Sequence, residues 1–227
     1  MPIDISKVLS NNTSAMQLYI GNYNYSSWSM RAWLVLTKAE LPFEEEMIDL
    51  DVPGFKNKLL ALSDMGTVPV LEVNEEKIPD SLAISEFAAN AVPNLWPKDP
   101  EQRAKCKEVV SKMHTGFEAI RREAPMNLRR RTSKPVPQAC LDDAAEMVAM
   151  WDELLAQHNG PFLFDAWSIA DAFYTPAATR FASYDLPRTV RSDTYISELM
   201  SDVDYLEWEA RAFIETHKIP ETDSKNT

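Results

Sequence analysis

The sequence predicts a small α/β domain followed by an all-helical domain. Short runs of strand-forming residues alternate with helix patterns up to residue 91, and only helix patterns continue beyond residue 100. Between them, residues 92–100 contain three prolines, which are not tolerated inside a helix. We therefore expect a loose leader at 1–16, a first domain at 17–92, a linker at 93–100, a helical domain at 101–219 and a disordered tail at 220–227.

The first domain is predicted from strand-forming runs and from residues that begin or end helices. Gln17–Ile20 is rich in strand formers, and the helix pattern that starts at Trp28 ends before Pro42. The patterns then predict a strand at 43–50, a short helix at 55–62, a strand entered through a proline at 68–73, a short return strand at 77–78 and a helix from 80 onward. The predicted order is β-α-β-α-β-β-α.

The second domain is predicted from apolar residues at helical spacing. Ala144, Met147, Trp151 and Leu154 form one such apolar stripe. The predicted helices cover 101–122, 137–158, 169–184, 191–200 and 203–216, with a basic loop at 126–136.

Composition and charge exclude several classes of protein. The hydrophobic fraction of 45% and the charged fraction of 26% are those of a globular protein. A net charge of −12 is opposite to that of most nucleic-acid binders. No apolar run is long enough to span a membrane, and the first 15 residues lack the basic and apolar segments of a signal peptide. Cys106 and Cys140 have no metal-ligand spacing, so we expect a reduced cytoplasmic chain without a metal.

Three serines lie at the predicted start of the first helix, in the segment Tyr-Ser-Ser-Trp-Ser-Met-Arg at 25–31. A serine at this position can simply cap the helix. The same position suits an anion, because the N–H groups at a helix start carry partial positive charge. Together with a serine hydroxyl, they would lower the pKa of a thiol. Since the segment contains no Cys, that thiol must come from a ligand.

Two further motifs follow in the same domain. Pro69 enters a strand directly after Val68, either as a trans edge proline or through a cis bond that turns the Val68 backbone outward to pair with a peptide-like ligand. We predict the cis bond, because Pro69 follows Gly66-Thr67-Val68 and precedes an apolar strand. Asp80 and Ser81 precede a helix. They either cap it, or Ser81 and the helix start hold a carboxylate of the same ligand while Asp80 meets its ammonium group.

These motifs, ahead of an all-helical half, resemble a cytosolic glutathione S-transferase over residues 17–216. The resemblance implies a thioredoxin-like first domain that binds glutathione, the co-substrate, through Val68, Pro69, Asp80 and Ser81. It also implies a cytoplasmic homodimer that acts in detoxification, with no metal and no nucleic-acid or membrane partner.

A motif in the helical half supports the resemblance. Ser168 and Asp171 have the spacing of a capping box similar to the one in this family's core helix. We expect Ser168 to cap the helix and Asp171 to accept a hydrogen bond from the Ser168 backbone N–H, which is a structural role.

Several residues are candidates for the donor to the glutathione thiol. The serine segment is similar to the Ser-Ser-Cys-Ser-x-Arg of the zeta class, which includes maleylacetoacetate isomerases. Alignment on the arginine makes Ser26 the catalytic serine, with Ser27 as the alternative. Trp28 replaces the motif's Cys, which argues against thiol transfer through a mixed disulfide, and the loop before Ser26 is longer than in the zeta class. Members that use a tyrosine place it near the end of the first strand, so Tyr23 and Tyr25 are further candidates.

The second-substrate pocket is expected from the helical half. Residues 98–134 hold 11 Lys or Arg and 5 Asp or Glu, either as a solvated face or as a basic wall that favours glutathione or an acidic second substrate. Arg180 lies in an apolar helix, where it lines the pocket or, as we slightly prefer, forms a buried ion pair. The pocket candidates are Trp28, Arg121, Asn127 and Arg180, whereas all three histidines are expected to be structural or exposed.

The predicted function is the attack of activated glutathione on an electrophilic small molecule. The alternative enzyme is a glutathione-dependent isomerase of the maleylacetoacetate type. The alternative from another class is a non-catalytic binding protein of the same fold, like the stringent-starvation proteins that bind RNA polymerase. Glutathione binding discriminates between these classes, because both enzymes require it and an adaptor does not.

Overall fold

The computed structural model describes residues 16–224, with a four-stranded sheet in the first half and helices in both halves. The strands are β1 Met16–Gly21, β2 Phe43–Ile48, β3 Val70–Val73 and β4 Glu76–Pro79. The helices of the first half are α1 Ser27–Lys38, α2 Phe55–Leu62 and α3 Ser81–Ala91, followed by a 3-10 turn at Pro93–Leu95. The helices of the second half are α4 Pro100–Thr115, α5 Glu118–Glu123, α6 Gln138–Gln157, α7 Ile169–Tyr184, α8 Val190–Ser201, α9 Val203–Ile214 and α10 Pro220–Ser224.

The sheet has the strand order β2-β1-β3-β4, with β1 parallel to β2 and antiparallel to β3. Along β1, Met16, Leu18 and Ile20 are buried and alternate with the half-buried Gln17 and Tyr19. This alternation fixes the register, because a slip of one residue would move the buried side chains to the other face. The predicted order of elements is confirmed, and so are the thioredoxin-like first domain and the all-helical second domain.

Helix α7 is the buried core helix of the second half. It begins at the predicted capping box, in which the backbone N–H and the hydroxyl of Ser168 both donate to Asp171 Oδ2, at 2.8 and 2.9 Å. Helix α7 also packs against α1. It therefore holds the two halves together behind the N-terminus of α1.

The predicted helix at 101–122 is divided into α4 and α5. At the break, Gly116 is extended and Phe117 adopts a left-handed φ of 55°. A side chain at residue 116 would place its Cβ 2.8 Å from the carbonyl oxygen of Lys112. The backbone therefore comes so close at this point that only glycine fits, and the helix ends there.

The tail also differs from the prediction, because its first residues form α10 rather than disordered chain. The Asp223 carboxylate in α10 accepts hydrogen bonds from the Tyr25 hydroxyl and from Asn127 Nδ2, at 3.1 and 2.9 Å. These contacts fix α10 against the loop before α1. The predicted leader, apart from Met16 in β1, and residues 225–227 lie outside the described residues. Within residues 16–224, no helix is long and apolar enough to cross a membrane.

Candidate active site

Two adjoining cavities lie at the N-terminal ends of α1 and α3. The larger has a volume of about 400 Å³ and lies between the start of α1 and the wall formed by the helical half. The smaller, of about 280 Å³, lies at the start of α3. Trp28, Thr67 and Val68 line both cavities, so the two form one groove between the domains.

The predicted serines both line the larger cavity, but their hydroxyls are used differently. Ser26 is the N-cap of α1: its Oγ accepts from the Ser29 N–H at 3.4 Å and donates to Ser29 Oγ at 2.8 Å. The Ser27 hydroxyl makes no hydrogen bond to any residue of 16–224. Ser27 is therefore the hydroxyl that is free to donate into the cavity, whereas Ser26 caps the helix whose N-terminus faces it.

The hydroxyls of the two loop tyrosines both have hydrogen-bond partners, although Tyr25 also lines the larger cavity. The Tyr25 hydroxyl donates to Asp223 at 3.1 Å and accepts from Arg129 Nη2 at 3.1 Å. The Tyr23 hydroxyl donates to Glu45 at 2.8 Å, and burial together with this bond raises the pKa of Tyr23 to about 12, although Arg211 opposes the shift. Both hydroxyls are thus already engaged, in contrast to that of Ser27.

The Val68–Pro69 peptide bond is cis, as predicted. Val68 lines both cavities, and Pro69 lines the smaller one. The backbone at Val68 therefore lies where the groove passes from one cavity to the other.

The predicted Asp80–Ser81 pair lies in the smaller cavity. Asp80 is the N-cap of α3: its Oδ1 accepts from the N–H groups of Leu82 and Ala83, at 2.7 and 3.2 Å. Ser81 is fully buried, and its Oγ has no hydrogen-bond partner among the described residues. A buried hydroxyl without a partner is costly. We therefore expect a polar group in the cavity to form a hydrogen bond with Ser81 Oγ.

His114 was not predicted as a site residue, but the structure brings it from α4 to Asp80. Its Nε2 lies 3.2 Å from Asp80 Oδ2, and its ring packs edge-on against Trp28 with centroids 5.2 Å apart. Burial lowers the pKa of His114, with Asp80 opposing this shift and Arg31 and Arg121 adding to it. No local sequence signal indicates this pairing, since α3 and α4 belong to different domains.

The pocket candidates Trp28, Arg121 and Arg180 are brought together in the larger cavity. The slightly preferred ion pair of Arg180 is wrong: its Nε donates to the carbonyl oxygen of Ala124 and its Nη1 to that of Pro176, both at 3.0 Å. Among the described residues no carboxylate lies within ion-pair distance of it. Arg180 instead lines the larger cavity, and its role in a second-substrate pocket stays a prediction.

Asn127 does not line either cavity, in contrast to its expected place in the pocket. Its Oδ1 accepts from Asn24 Nδ2 and its Nδ2 donates to Asp223 Oδ1, both at 2.9 Å. Both ends of the amide are thus used to hold the loop before α1 and the helix α10 together, and Asn127 is a structural residue.

The remaining sequence expectations concern metals and cysteines. Within residues 16–224 no group of three or more His, Cys, Asp or Glu side chains is placed to hold a metal ion. Cys106 and Cys140 are free and buried. Burial raises the pKa of the Cys106 thiol to about 12 and that of Cys140 to about 11, so neither is a reactive thiolate.

Comparisons with known proteins agree with this architecture. The family model described as the glutathione S-transferase N-terminal domain matches residues 25–91, and that of the C-terminal domain matches residues 107–207. A Caenorhabditis elegans protein named probable maleylacetoacetate isomerase is 28% identical over 168 residues, which cover 70% of this chain and 78% of that protein. Glutathione S-transferase 1 of Dianthus caryophyllus is 30% identical over 125 residues, which cover 52% of this chain and 54% of that protein.

Solved structures show the same fold. An epsilon-class glutathione S-transferase from the housefly Musca domestica has a TM-score of 0.73 at 23% identity, covering 93% of this chain and 98% of its own. A glutathione transferase homolog from Burkholderia gl BGR1, solved with bound glutathione, has a TM-score of 0.71 at 21% identity, covering 88% of this chain and 100% of its own.

Proposed function

The chain belongs to the glutathione S-transferase family, whose two domain models together match most of its length, and on this premise we propose that it is a glutathione transferase. In this proposal the groove between the domains binds glutathione, ionises its thiol and directs the thiolate at an electrophilic small molecule. The cytoplasmic location, the homodimer and the role in detoxification implied by the resemblance belong to the same proposal.

The observation that supports this function best is the unpaired hydroxyl of Ser27 at the start of α1. It lines the larger cavity beside the N-terminus of a 12-residue helix. The partial positive charge of a helix start and a hydroxyl donor both stabilise a thiolate over a thiol. The first candidate from the resemblance, Ser26, already caps α1, so its contribution passes mainly through the helix start. We therefore assign the direct donor to Ser27.

The rest of glutathione is assigned to the smaller cavity. Ser81 Oγ lacks a partner there, and the tripeptide carries carboxylates that a hydroxyl and the start of α3 can hold. Asp80 Oδ2 is free of the capping bonds and provides a negative partner for the ammonium group. The Val68 backbone, between the two cavities, is assigned to the cysteinyl part.

The chemistry then needs only positioning and stabilisation of an anion. The thiol proton leaves to solvent as the thiolate forms against Ser27 and the helix start. The sulfur lone pair forms a C–S bond, and the displaced group leaves with its bonding electron pair.

A second candidate is a glutathione-dependent isomerase, favoured by the 28% identity to the protein named probable maleylacetoacetate isomerase. Here the same thiolate adds to a double bond and is expelled again after rotation about the resulting single bond. Glutathione is consumed by a transferase and regenerated by an isomerase, so its concentration during turnover distinguishes the two.

The test is the pKa of the bound thiol, measured from ultraviolet thiolate absorbance against pH, in wild type and in Ser27→Ala, Ser26→Ala and Tyr25→Phe. A free thiol of this type has a pKa of about 8.5, and we expect binding to lower it by about one unit or more. Ser27→Ala should remove most of this lowering of the thiol pKa, Ser26→Ala should remove less of it, and Tyr25→Phe should remove none.

A larger effect of Ser26→Ala than of Ser27→Ala would return the donor role to Ser26. Loss of the shift in Tyr25→Phe would make the protein a tyrosine-type enzyme. If glutathione does not bind to the wild-type protein by calorimetry, the transferase and the isomerase are both wrong, and a non-catalytic protein of this fold is left.

A further inference from the structure

Three arginines lie in or behind the wall of the larger cavity without an acidic partner, and two of them flank Trp28. The guanidinium carbon of Arg31 lies 4.3 Å from the centre of the Trp28 ring, and that of Arg121 lies 5.4 Å from it. Arg121 and Arg180 line the larger cavity, while Arg31 is fully buried behind the indole. Among residues 16–224, no carboxylate lies within ion-pair distance of any of the three.

Arg180 presents a fixed and unused donor to the cavity. It is only 3% exposed, and its bonds to the carbonyl oxygens of Ala124 and Pro176 fix the plane of its guanidinium. Its Nη2 makes no hydrogen bond to the described residues. The guanidinium therefore has acceptors for Nε and Nη1 but none for Nη2, and it has no counter-charge, which is costly for a buried cation.

Arg121 completes the arrangement from α5. Its Nη1 donates to the carbonyl oxygen of His114 at 3.2 Å, and its other nitrogens make no hydrogen bond to the described residues. Two carboxylates act on it only from a longer distance, Glu118 and Asp143. Asp143 also accepts from the Ile120 N–H at 2.9 Å.

The three arginines lie close enough together for their like charges to lower one another's pKa values. Burial, followed by the charges of Arg180 and Arg121, lowers the pKa of Arg31 to about 9, with Tyr174 and Asp80 opposing the shift. Burial also lowers the pKa of Arg180 to about 10, with Arg121 adding to the shift and Tyr184 and Cys140 opposing it. Because arginine side chains stay charged in proteins, this wall is positive although the chain as a whole carries −12.

Three lysines of this region belong to a different kind of surface. Lys105, Lys107 and Lys112 are exposed and paired with Glu108, Glu86 and Glu146. They match the predicted solvated helix face, whereas Arg121 alone of the basic residues in segment 98–134 lines the larger cavity. The positive wall is thus a local property of that cavity.

The positions of the cations separate them from the groups assigned to glutathione. The partnerless Ser81 hydroxyl and Asp80 lie in the smaller cavity, whereas Arg121 and Arg180 lie in the larger one, beside Pro125 and Met126 of the helical half. An anion held by these two arginines would lie next to the thiol donor, on the side from which a second substrate reaches it.

We propose that the second substrate is an electrophile that carries a carboxylate, which Arg121 and Arg180 bind while the reactive carbon faces the thiol at Ser27. The inference rests on the proposed function and adds the chemical class of the substrate. Pro125 and Met126 contact the apolar body of the molecule. In a substitution, the sulfur forms the C–S bond and the leaving group departs with the electron pair of the broken bond. In an addition to a double bond conjugated with a carbonyl, the sulfur forms the C–S bond, the π electron pair of the double bond passes to the carbonyl, and water supplies the proton.

The experiment compares two matched aryl chlorides, a para-chloro-dinitrobenzoate and the corresponding neutral para-chloro-dinitrobenzamide. The kcat/KM of each with glutathione is divided by its rate constant without enzyme, which removes their different intrinsic reactivities. We expect the wild type to prefer the benzoate at least about tenfold, because charge-assisted hydrogen bonds distinguish it from the amide. Benzoate, which lacks the reactive chlorine, should inhibit competitively against the chloro-dinitrobenzoate, and benzamide should not.

Arg121→Gln is the decisive variant, because Arg121 is only half-buried and holds a single backbone bond. It should lower the normalised kcat/KM for the benzoate by about 10- to 100-fold and change that for the benzamide by less than about threefold. Arg180→Lys keeps the charge but loses the fixed planar donor, and should reduce the preference in part. The matched control is Arg122→Gln in the same helix, an exposed residue that does not line the cavity and should leave both values unchanged.

The proposal would be overturned, while the transferase function stands, if the normalised kcat/KM values of the two aryl chlorides are equal in wild type and do not respond to Arg121→Gln. A raised KM for glutathione in Arg121→Gln, with the electrophile preference retained, would also overturn it, since the arginines would then serve glutathione. Failure of both chlorides together with failure to bind glutathione would instead refute the proposed function.

Discussion

Removal of the Asp171 carboxylate should destabilise the fold far more than an ordinary helix cap does. The side chain is fully buried and accepts four hydrogen bonds: from the Ser168 N–H and hydroxyl, from the Tyr195 hydroxyl at 2.9 Å and from the Leu163 N–H at 3.3 Å. Asp171→Ala would leave several of these donors buried without an acceptor.

The size of the loss follows from the number of donors. Each buried donor left unpaired costs about 1–3 kcal/mol, whereas loss of an exposed cap costs about 1 kcal/mol. Part of the loss is recovered, because the carboxylate no longer has to be kept away from water. We expect a net loss of about 3 kcal/mol, which for a chain of this size lowers the melting temperature by about 6–12 °C.

The pH dependence gives a second, independent prediction. Burial raises the pKa of Asp171 from 3.8 to about 6, although its hydrogen bonds with Tyr195, Ser168 and Leu163 oppose the shift. The folded state therefore holds this proton more tightly than the unfolded state. The stability contributed by this group is complete below the unfolded value and is lost as the pH rises through about 6. The loss amounts to about 3 kcal/mol between these limits.

The assay is urea unfolding at several pH values of wild type, Asp171→Ala, Asp171→Asn and the control Thr189→Ala. Thr189 caps α8 in a capping box with Ser192, and its hydroxyl donates to Asp152 at 2.9 Å, but this cap is exposed at the surface whereas Asp171 is buried. The free-energy difference between wild type and Asp171→Asn should shrink as the pH rises from about 4 to about 7, whereas that for Thr189→Ala should stay near 1 kcal/mol. Wild-type stability of Asp171→Ala combined with loss of activity would show that the structural role is wrong.

Two further predictions concern groups beside and away from the groove. Burial lowers the pKa of His114 below the ordinary histidine value of 6.5, with Arg31 and Arg121 adding to the shift and Asp80 opposing it. As the pH falls below 6.5, the KM for glutathione should therefore rise, because His114 gains charge and competes for Asp80. His114→Gln should abolish the rise, and a rise that persists in that variant would exclude His114 as the cause. Burial raises the pKa of Cys106 to about 12 and that of Cys140 to about 11. Both thiols should therefore not react with an aromatic disulfide reagent at about pH 8 until the protein is denatured. Rapid labelling of the native protein would contradict their burial.

The features that could be predicted from the sequence are those whose signal is local. The strand β1 follows from a short run of strand-forming residues, and the start of α7 follows from the spacing of Ser168 and Asp171. The cis bond at Val68–Pro69 and the cap at Asp80 also lie at the predicted positions. In each case the interacting groups are near neighbours in the chain, so residue type and spacing determine the structure.

The features that could not be predicted depend on residues distant in the chain. The pairing of His114 with Asp80 requires α4 to pack against the start of α3. Asn127 had the right character for a pocket residue, but α10, which was expected to be disordered, supplies the carboxylate that holds it elsewhere. The sequence alone also left both alternatives for Arg180 open, because only the packed structure shows whether an acidic partner comes within reach.

Helix α7 connects the stability of the fold with the proposed specificity. It begins at the Asp171 cap, packs against α1, and carries Arg180 into the cavity that Ser27 also lines. The position of the anion-binding arginine relative to the thiol donor is therefore set by a rigid helix on each side, rather than by mobile loops. Because the hydrogen bonds from Arg180 to Ala124 and Pro176 fix its guanidinium within that frame, the cation is held in place before a substrate arrives. A substrate carboxylate then gains its hydrogen bond without ordering the arginine side chain, which favours discrimination by charge at this position.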